Sequence, residues 1–445
     1  MRAGYLWLAS FAVFPLAGAP FVVHPAFRRF GNVCRIALAG GVGMVLLSAT
    51  MTVWALAGWR WGPILVLASA AVAFALRSLI PKGSDPAPPE ARSGRRDQSQ
   101  ARTLVWIALI LTAISIFAAL AATLAARSTS PDLLLFWGPK AQQFAAARTI
   151  DAGFLSAPYL EYLHVYYPPL VTNVFAFATM IAGRFPWGAA TLTFPLLLAA
   201  TAVGLFGILR AEAPAPPAAA ATALVICALG LTGIHSSVAG NAEPFLLFFE
   251  LLAVALLVTP AARSEAGKLL AGLFLAGAAA AKVEGLPFVG AVIVLFLLVD
   301  RDAARPFARS ALLLLAPTIV SIGTWLAFGA MRKVFFGYKG YGRSLEFHWD
   351  HLSAVASAIG TALWKAGYVL PFAVPILVLL TIRPKGRRAV LPLGVAAALS
   401  VFLLLTYLQS PRDPRLWIAW SAARTFSPVT AMIALASFRG RGESH

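Results

Sequence analysis

Residues Ile107–Ala126 read IALILTAISIFAALAATLAA, twenty positions without a charge. That is the length an α-helix needs to cross the hydrocarbon core of a bilayer. Ala311–Ala330 is a second run of the same kind. A chain of 445 residues with 60% hydrophobic and only 12% charged residues holds more apolar surface than a soluble domain can hide. Apolar and polar residues do not alternate as they would in a lipid-facing strand, so the backbone must be satisfied inside helices and not in a barrel. The expected fold is all-α, a polytopic membrane helical bundle of about 13 spans. Spans are placed near 5–23, 36–57, 61–80, 103–126, 187–209, 216–234, 243–260, 267–281, 285–300, 310–330, 360–382, 388–408 and 421–438. The first lacks a small-residue cleavage site and reads as a retained helix.

A net charge of +19 would suggest nucleic acid in a soluble protein. Here Lys and Arg gather in short loops, around Arg28, Arg29 and Arg35, Lys82–Arg102, Arg263–Lys268, Arg301–Arg309 and Arg383–Arg388. Alternating spans put all of these on one side, which the positive-inside rule makes cytoplasmic, so the charge reports orientation and no nucleic-acid partner is implied. The two cysteines, Cys34 and Cys227, sit in apolar stretches without metal-type spacing and read as packing residues. Gly40, Gly41 and Gly43 follow no strand and read as helix-packing positions, not a phosphate loop.

The organisation that follows has three parts. Residues 1–80 form an N-terminal three-span unit, and 81–102 a polar, Pro- and Ser-rich cytoplasmic linker too hydrophilic to pack. Residues 103–445 form the main membrane domain. Counting Pro168–Gly183 as a full span would put Asp132 and Glu243 on opposite sides. It is short and opens with Pro-Pro, so it reads as an interfacial or re-entrant helix, and 127–186 becomes one large external loop of short interfacial helices.

That loop carries Asp132-Leu-Leu-Leu-Phe-Trp-Gly-Pro-Lys140 and, further on, His164-Val-Tyr-Tyr167-Pro-Pro-Leu170. Ionisable residues beside a bilayer are costly unless solvated or paired, which makes Asp132 a candidate for chemistry. Four other polar clusters share its face: His235–Glu243, Lys282-Val-Glu284, Met331–His351 and Gln409–Trp420. The last two break the positive-inside pattern. Basic residues on an outer face are not needed for topology, so they are expected to meet an anion, and at a membrane the obvious one is a lipid phosphate. The candidates are Lys140, Lys282, Arg332, Lys333, Lys339, Arg343, Arg412, Arg415 and Arg424, with Lys282 and Arg343 foremost. Arg424 lies one turn into the last span and is expected to face a polar cavity.

The order of Asp132 just after a span, Trp137-Gly-Pro-Lys140-Ala, Tyr167-Pro-Pro-Leu170, Asn241-Ala-Glu243-Pro-Phe-Leu and Ala281-Lys282-Val-Glu284-Gly-Leu resembles the glycosyltransferase C superfamily. Within it, the chain looks closest to bacterial members related to protein O-mannosyltransferases and aminoarabinose transferases. The resemblance runs from about Arg102 to the C-terminus; the first three spans lie outside it. It implies an enzyme of the bacterial inner membrane with its active site on the periplasmic face. Such an enzyme moves a sugar, with inversion, from a polyprenyl-phosphate donor to a hydroxyl of an envelope glycan, lipid or protein. Asp132 then matches the catalytic base, and Glu243 stands where related enzymes carry a second Asp. Lys140, His164, Tyr167, Lys282, Glu284, Arg332, Lys333, Arg343, Arg412 and Arg424 become the substrate-binding set. No firm cofactor follows, although a divalent cation shared by His164 and Glu243 would suit imidazole and carboxylate.

Plainer readings stand beside these. Asp132 would equally cap a helix beginning at Leu133, Lys140 would snorkel to the interface, and Lys282 with Glu284 would be an ion pair closing a turn. Trp137, Tyr166, Tyr167 and Trp187 fit an interfacial aromatic belt as well as sugar stacking. A secondary transporter or flippase for a lipid-linked or anionic substrate would have as many spans, but it would place its ionisable residues near the midplane at broken helices.

Overall fold

The computed structural model describes residues 2–80, 98–126, 130–157, 164–234, 242–299, 307–334, 346–382, 387–410 and 413–438. Most of the linker 81–102 therefore lies outside the described residues. Among those described the secondary structure is helical, with no strand. The chain opens with α1 (Arg2–Ser10), α2 (Val13–Val22), α3 (Asn32–Leu56), α4 (Ile64–Ser78) and α5 (Gln98–Ala125). A π-helical turn, Leu133–Trp137, runs into α6 (Gly138–Ala147), followed by α7 (Ala152–Leu155), α8 (Leu170–Ala182), α9 (Trp187–Thr191) and α10 (Thr193–Arg210). Next come α11 (Ala215–Leu231), α12 (Glu243–Val258), α13 (Glu265–Ala281), α14 (Gly285–Val299) and α15 (Phe307–Met331). The chain closes with α16 (Leu352–Lys365), α17 (Val369–Ile382), α18 (Arg387–Leu408), α19 (Arg415–Thr425) and α20 (Ser427–Leu435).

Among the described residues, six segments are long and apolar enough to cross a membrane: Arg2–Val22, Asn32–Leu56, Ser99–Ala125, Trp187–Arg210, Phe307–Met331 and Ala389–Leu408. This is the architecture of an integral membrane protein. The stretch expected as one span over 360–382 is broken. The chain bends by 97° between Trp349–Lys365 and Val369–Ile382, so the two helices make a seventh span only if counted together.

The helices sort by how they face their surroundings. α12 and α13 are buried along nearly their whole length and form the centre of the bundle. α5 is the opposite: Trp106, Ile110, Ile114 and Phe117 are exposed, as expected of a helix whose solvent is lipid. The N-terminal unit does not stand apart, because α3 packs against α10, α13 and α15. α2 and α3 approach so closely that a Cβ at Gly18 or Gly43 would overlap the carbonyl of Ala39 or Phe14. Small residues at such crossings let backbones meet where hydrophobic association is weak. α8 is enclosed by α1, α3 and α6 and buried from Leu170 to Thr179, not laid on a surface. Its one amide, Asn173, donates to the Ser48 carbonyl and to Thr52 Oγ1 on α3.

The two ends of the bundle differ in charge. At one, Arg29 pairs with Glu212 at 3.6 Å and Arg309 with Glu265 at 2.7 Å. At the other lie the C-termini of α3, α13 and α15 and the N-termini of α12 and α14. Replacing Gly43 with Val is expected to force α2 off α3 at a cost of about 1–3 kcal/mol, read as a lowered unfolding temperature in detergent.

Candidate functional site

The polar groups of that second end are set by local breaks in helices. Asp132 begins the π-helical turn, a distortion that frequently marks functional sites. Its side chain makes no capping bond, so the cap reading fails; instead Ser130 Oγ accepts from the Asp132 amide. Glu243 occupies the first turn of α12, where the helix dipole favours a negative charge, with Pro244 behind it. α13 stops at Lys282, which takes an extended backbone, and α14 starts at Gly285, where a Cβ would overlap the Ala278 carbonyl. That tight turn sends Lys282 and Glu284 inward.

These side chains form one alternating chain of charge. Arg424 Nη1 donates to Asp132 Oδ2 at 2.7 Å, and its Nε lies 3.7 Å from Glu243 Oε1. Lys282 Nζ donates to Glu243 Oε1 at 2.8 Å and lies 2.9 Å from Glu284 Oε1. Three carboxylates face two cations, leaving one net negative charge. Burial works against charge on Lys282, but Glu243 and Glu284 outweigh it and hold the ammonium above its ordinary value. Burial raises Asp132, and Arg424 draws it only part of the way back. The Asp132 and Arg424 side chains keep 22% and 29% exposure and Glu284 31%, so the chain of charge is partly open at both ends and closed at Glu243 and Lys282.

An aromatic wall stands beside it. Trp137 stacks on Tyr167 with centroids 5.7 Å apart, and Tyr167 stacks on His164 at 5.0 Å. Trp137 is itself buried, so this is an internal stack and not an exposed aromatic belt. His164 has a positive φ of 48°, a strained conformation outside glycine, and its Nδ1 meets Tyr166 Oη at 2.9 Å. Lys140 is buried, sits 4.7 Å from the centroid of Trp137, and donates to the His164 carbonyl at 3.4 Å. Burial lowers its amine to about 7. Burial also lowers His164, to about 4, with Lys140, Lys282 and Arg424 adding to it. Burial pushes the Tyr167 phenol upward, reinforced by Glu284 and Glu243.

Asp132, Glu243, Lys282, Glu284 and Arg424 are thus brought together, with Lys140, His164 and Tyr167 alongside. Three expectations change. Lys282 is consumed by two carboxylates and is not free for an anion. Arg332 donates to the carbonyls of Ala55 and Leu56 at 3.0 Å, closing the C-terminus of α3. Lys333 is exposed at a φ of 55° and contributes nothing to the cluster. Lys339, Arg343 and Arg412 lie outside the described residues, as does 235–241. The cation shared by His164 and Glu243 is not supported. Tyr166 holds the imidazole, Lys282 holds a Glu243 oxygen, and among the described residues no group of three His, Cys, Asp or Glu is placed to hold a metal.

One residue escaped sequence reading. Glu250, in the middle of α12, is 1% exposed and lines a small cavity with Glu243, Lys282, Glu284 and Arg424. A second Glu, seven residues beyond Glu243 in the otherwise apolar run EPFLLFFELLAVALLV, was the signal. No protein-family model, curated protein or solved structure matches the chain.

Removing one partner of a buried ion pair leaves the other uncompensated. Lys282→Met is therefore expected to cost about 3–5 kcal/mol, seen as a large fall in thermal stability in detergent. Lys140→Met is expected to do the reverse. The folded value of Lys140, about 7, lies below its ordinary 10.5. Charge on the amine therefore penalises the fold fully below pH 7, and the penalty fades as pH rises towards 10.5. The mutant's gain in unfolding temperature is expected to be largest at or below neutral pH and to vanish above about 10.5.

Proposed function

We propose that the chain is an inverting, membrane-embedded glycosyltransferase that moves a sugar from a polyprenyl-phosphate donor to an acceptor hydroxyl. In this reading the bundle crosses a bacterial inner membrane about 13 times, the shorter apolar helices included. The residues 127–186 form the external loop over the site. The observation that carries the proposal is Asp132. It is a partly exposed carboxylate at the exit of α5, raised by burial, and it lies 2.7 Å from the partly exposed Arg424 side chain.

The chemistry needs a base and a cation, and these two side chains supply them. A carboxylate near an acceptor hydroxyl takes its proton as the oxygen attacks the anomeric carbon. The bond from that carbon to the phosphate oxygen breaks, and the phosphate leaves as an anion. Arg424 uses only part of its fork of donors on Asp132, so other N–H groups are available to the developing charge. Tyr167, His164 and Trp137 offer a rigid aromatic wall beside the reacting groups. The acceptor, an envelope glycan, lipid or protein, approaches from the aqueous side.

A second reading, a secondary transporter or flippase for a lipid-linked or anionic substrate, is favoured by Glu250, a carboxyl two turns inside the bundle. Transfer of radiolabelled sugar from polyprenyl-phosphate donors to envelope fractions separates the two. Asp132→Asn is expected to lower transfer by about 10²–10⁴ while donor remains bound. Full activity in that variant removes Asp132 from the mechanism, and absence of transfer by wild type with every donor moves the weight to transport.

The pH profile gives an independent check. A base works only when ionised, so transfer is expected to fall as pH drops through the raised value of Asp132. Arg424 draws that value down. Arg424→Gln is thus expected to move the acid limb of kcat/KM to higher pH; an unmoved limb assigns it to another group.

A further inference from the structure

α12 carries two carboxylates seven residues apart, which places Glu250 on the same helix face as Glu243 and about 10 Å further along the axis. Glu250 is 1% exposed, and its Oε2 has no hydrogen-bond partner. It borders a cavity with a free space of about 20 Å³, room for about one water molecule. Above it stand Glu243, Lys282, Glu284 and Arg424; beside it are Leu399, Phe402 and Leu403 of α18.

Both cations facing this cavity already carry carboxylates. Lys282 is held by Glu243 and Glu284 at 2.8 and 2.9 Å, and Arg424 by Asp132 at 2.7 Å, with its Nε, which has no hydrogen-bond partner, 3.7 Å from Glu243 Oε1. The remaining neighbours offer a charge little: α18 and α20 present apolar side chains and Pro428 to the cavity, and the Thr425 hydroxyl donates to the Ser421 carbonyl of its own helix. An ionised carboxylate here would be a fourth acid on a network of two cations, in surroundings that solvate it poorly. A neutral carboxylic acid avoids that cost and gains a hydroxyl donor. Two further carboxylate oxygens, Glu243 Oε2 and Glu284 Oε2, are also without hydrogen-bond partners at the same cavity. They are acceptors for a proton handed on from below.

We infer that Glu250 is a proton-binding site, a carboxylic acid in the resting protein that exchanges its proton through the cavity it shares with Glu243 and Glu284. The assignment is independent of which reaction the Asp132–Arg424 end of the cluster performs. Transfer of the proton to Glu243 or Glu284 leaves Glu250 as the new anion. The number of anions around Lys282 stays at two, but one of them now lies at Glu250, so the proton's position sets how the ion chain is arranged.

Infrared spectroscopy of the full chain in lipid bilayers tests this directly. At neutral pH, wild type is expected to show the C=O stretch of a protonated carboxyl, shifted by transfer to D₂O and missing from Glu250→Gln, a neutral isostere that preserves packing. A band that is absent, equal in wild type and variant, or unmoved in D₂O overturns the inference. So does a band abolished by sodium chloride at constant pH, which would make the site one for a metal cation. A hydrophobic carbodiimide gives a second readout. It accepts the acid's proton while the carboxylate oxygen adds to its central carbon, and the adduct rearranges to a stable N-acylurea that retains all atoms of both reactants. Peptide mass mapping is expected to find it on Glu250 and not on the ion-paired Glu243, more slowly as pH rises; equal modification of both residues overturns the assignment.

Discussion

The ion chain Asp132–Arg424–Glu243–Lys282–Glu284 is the constraint on which this end of the molecule depends. Its members come from four separate places: the exit of α5, the start of α12, the turn between α13 and α14, and α19. Each sits where a helix begins, ends or breaks, because only there can a charged side chain reach inward without leaving its backbone unsatisfied. Burying charge is expensive, and alternation of sign is what makes it tolerable. The cluster thereby pins together segments nearly three hundred positions apart, with Asp132 and Arg424 the most distant pair.

The rest of the fold is arranged to hold those termini in register. α12 and α13 are central and buried throughout, so the positions of Glu243 and Lys282 are fixed by packing and not by solvent. The internal stack of Trp137, Tyr167 and His164 fastens the segment after Asp132 to the one preceding α8. α8 in turn is locked to α3 through Asn173. The N-terminal helices therefore contribute to the site's rigidity although none of their side chains enters the ion chain.

Much of this was legible from residue order. Apolar runs gave the helical membrane class, and the positions of Asp132, Glu243, Lys282, Glu284 and Arg424 beside or just inside spans gave the cluster, since rare charges in greasy sequence have few places to go. What eluded reading was partnership. Arg332 belongs to the same end of the bundle, yet its guanidinium is spent on the last carbonyls of α3, a contact between residues 277 positions apart that no local pattern encodes. The pairing of Lys282 with Glu284 is local and readable, but its second carboxylate, Glu243, lies 39 positions away and meets it only through the turn at Gly285. The bend of 97° between α16 and α17 went unseen because hydropathy measures length and not direction. Glu250 is the opposite case: an acid in the middle of an otherwise apolar helix is a visible signal, but it does not say which groups face it.

The π-helical turn at Leu133–Trp137 has a consequence in the currency of insertions and deletions. A π turn holds about one residue more than an α turn in the same full rotation, so the helix on either side of it keeps its facing. Leu134 and Leu135 are exposed, at 44% and 48%, so either can be lost without opening the core. Loss of one is absorbed as the wide turn relaxes to α geometry, with Asp132 kept on its side of the helix. The same loss within α6, which has no surplus residue, rotates everything before it by about 100° and turns the carboxylate from Arg424. The wide turn is thus a place where a lineage can change its chain length by one leucine and keep its carboxylate.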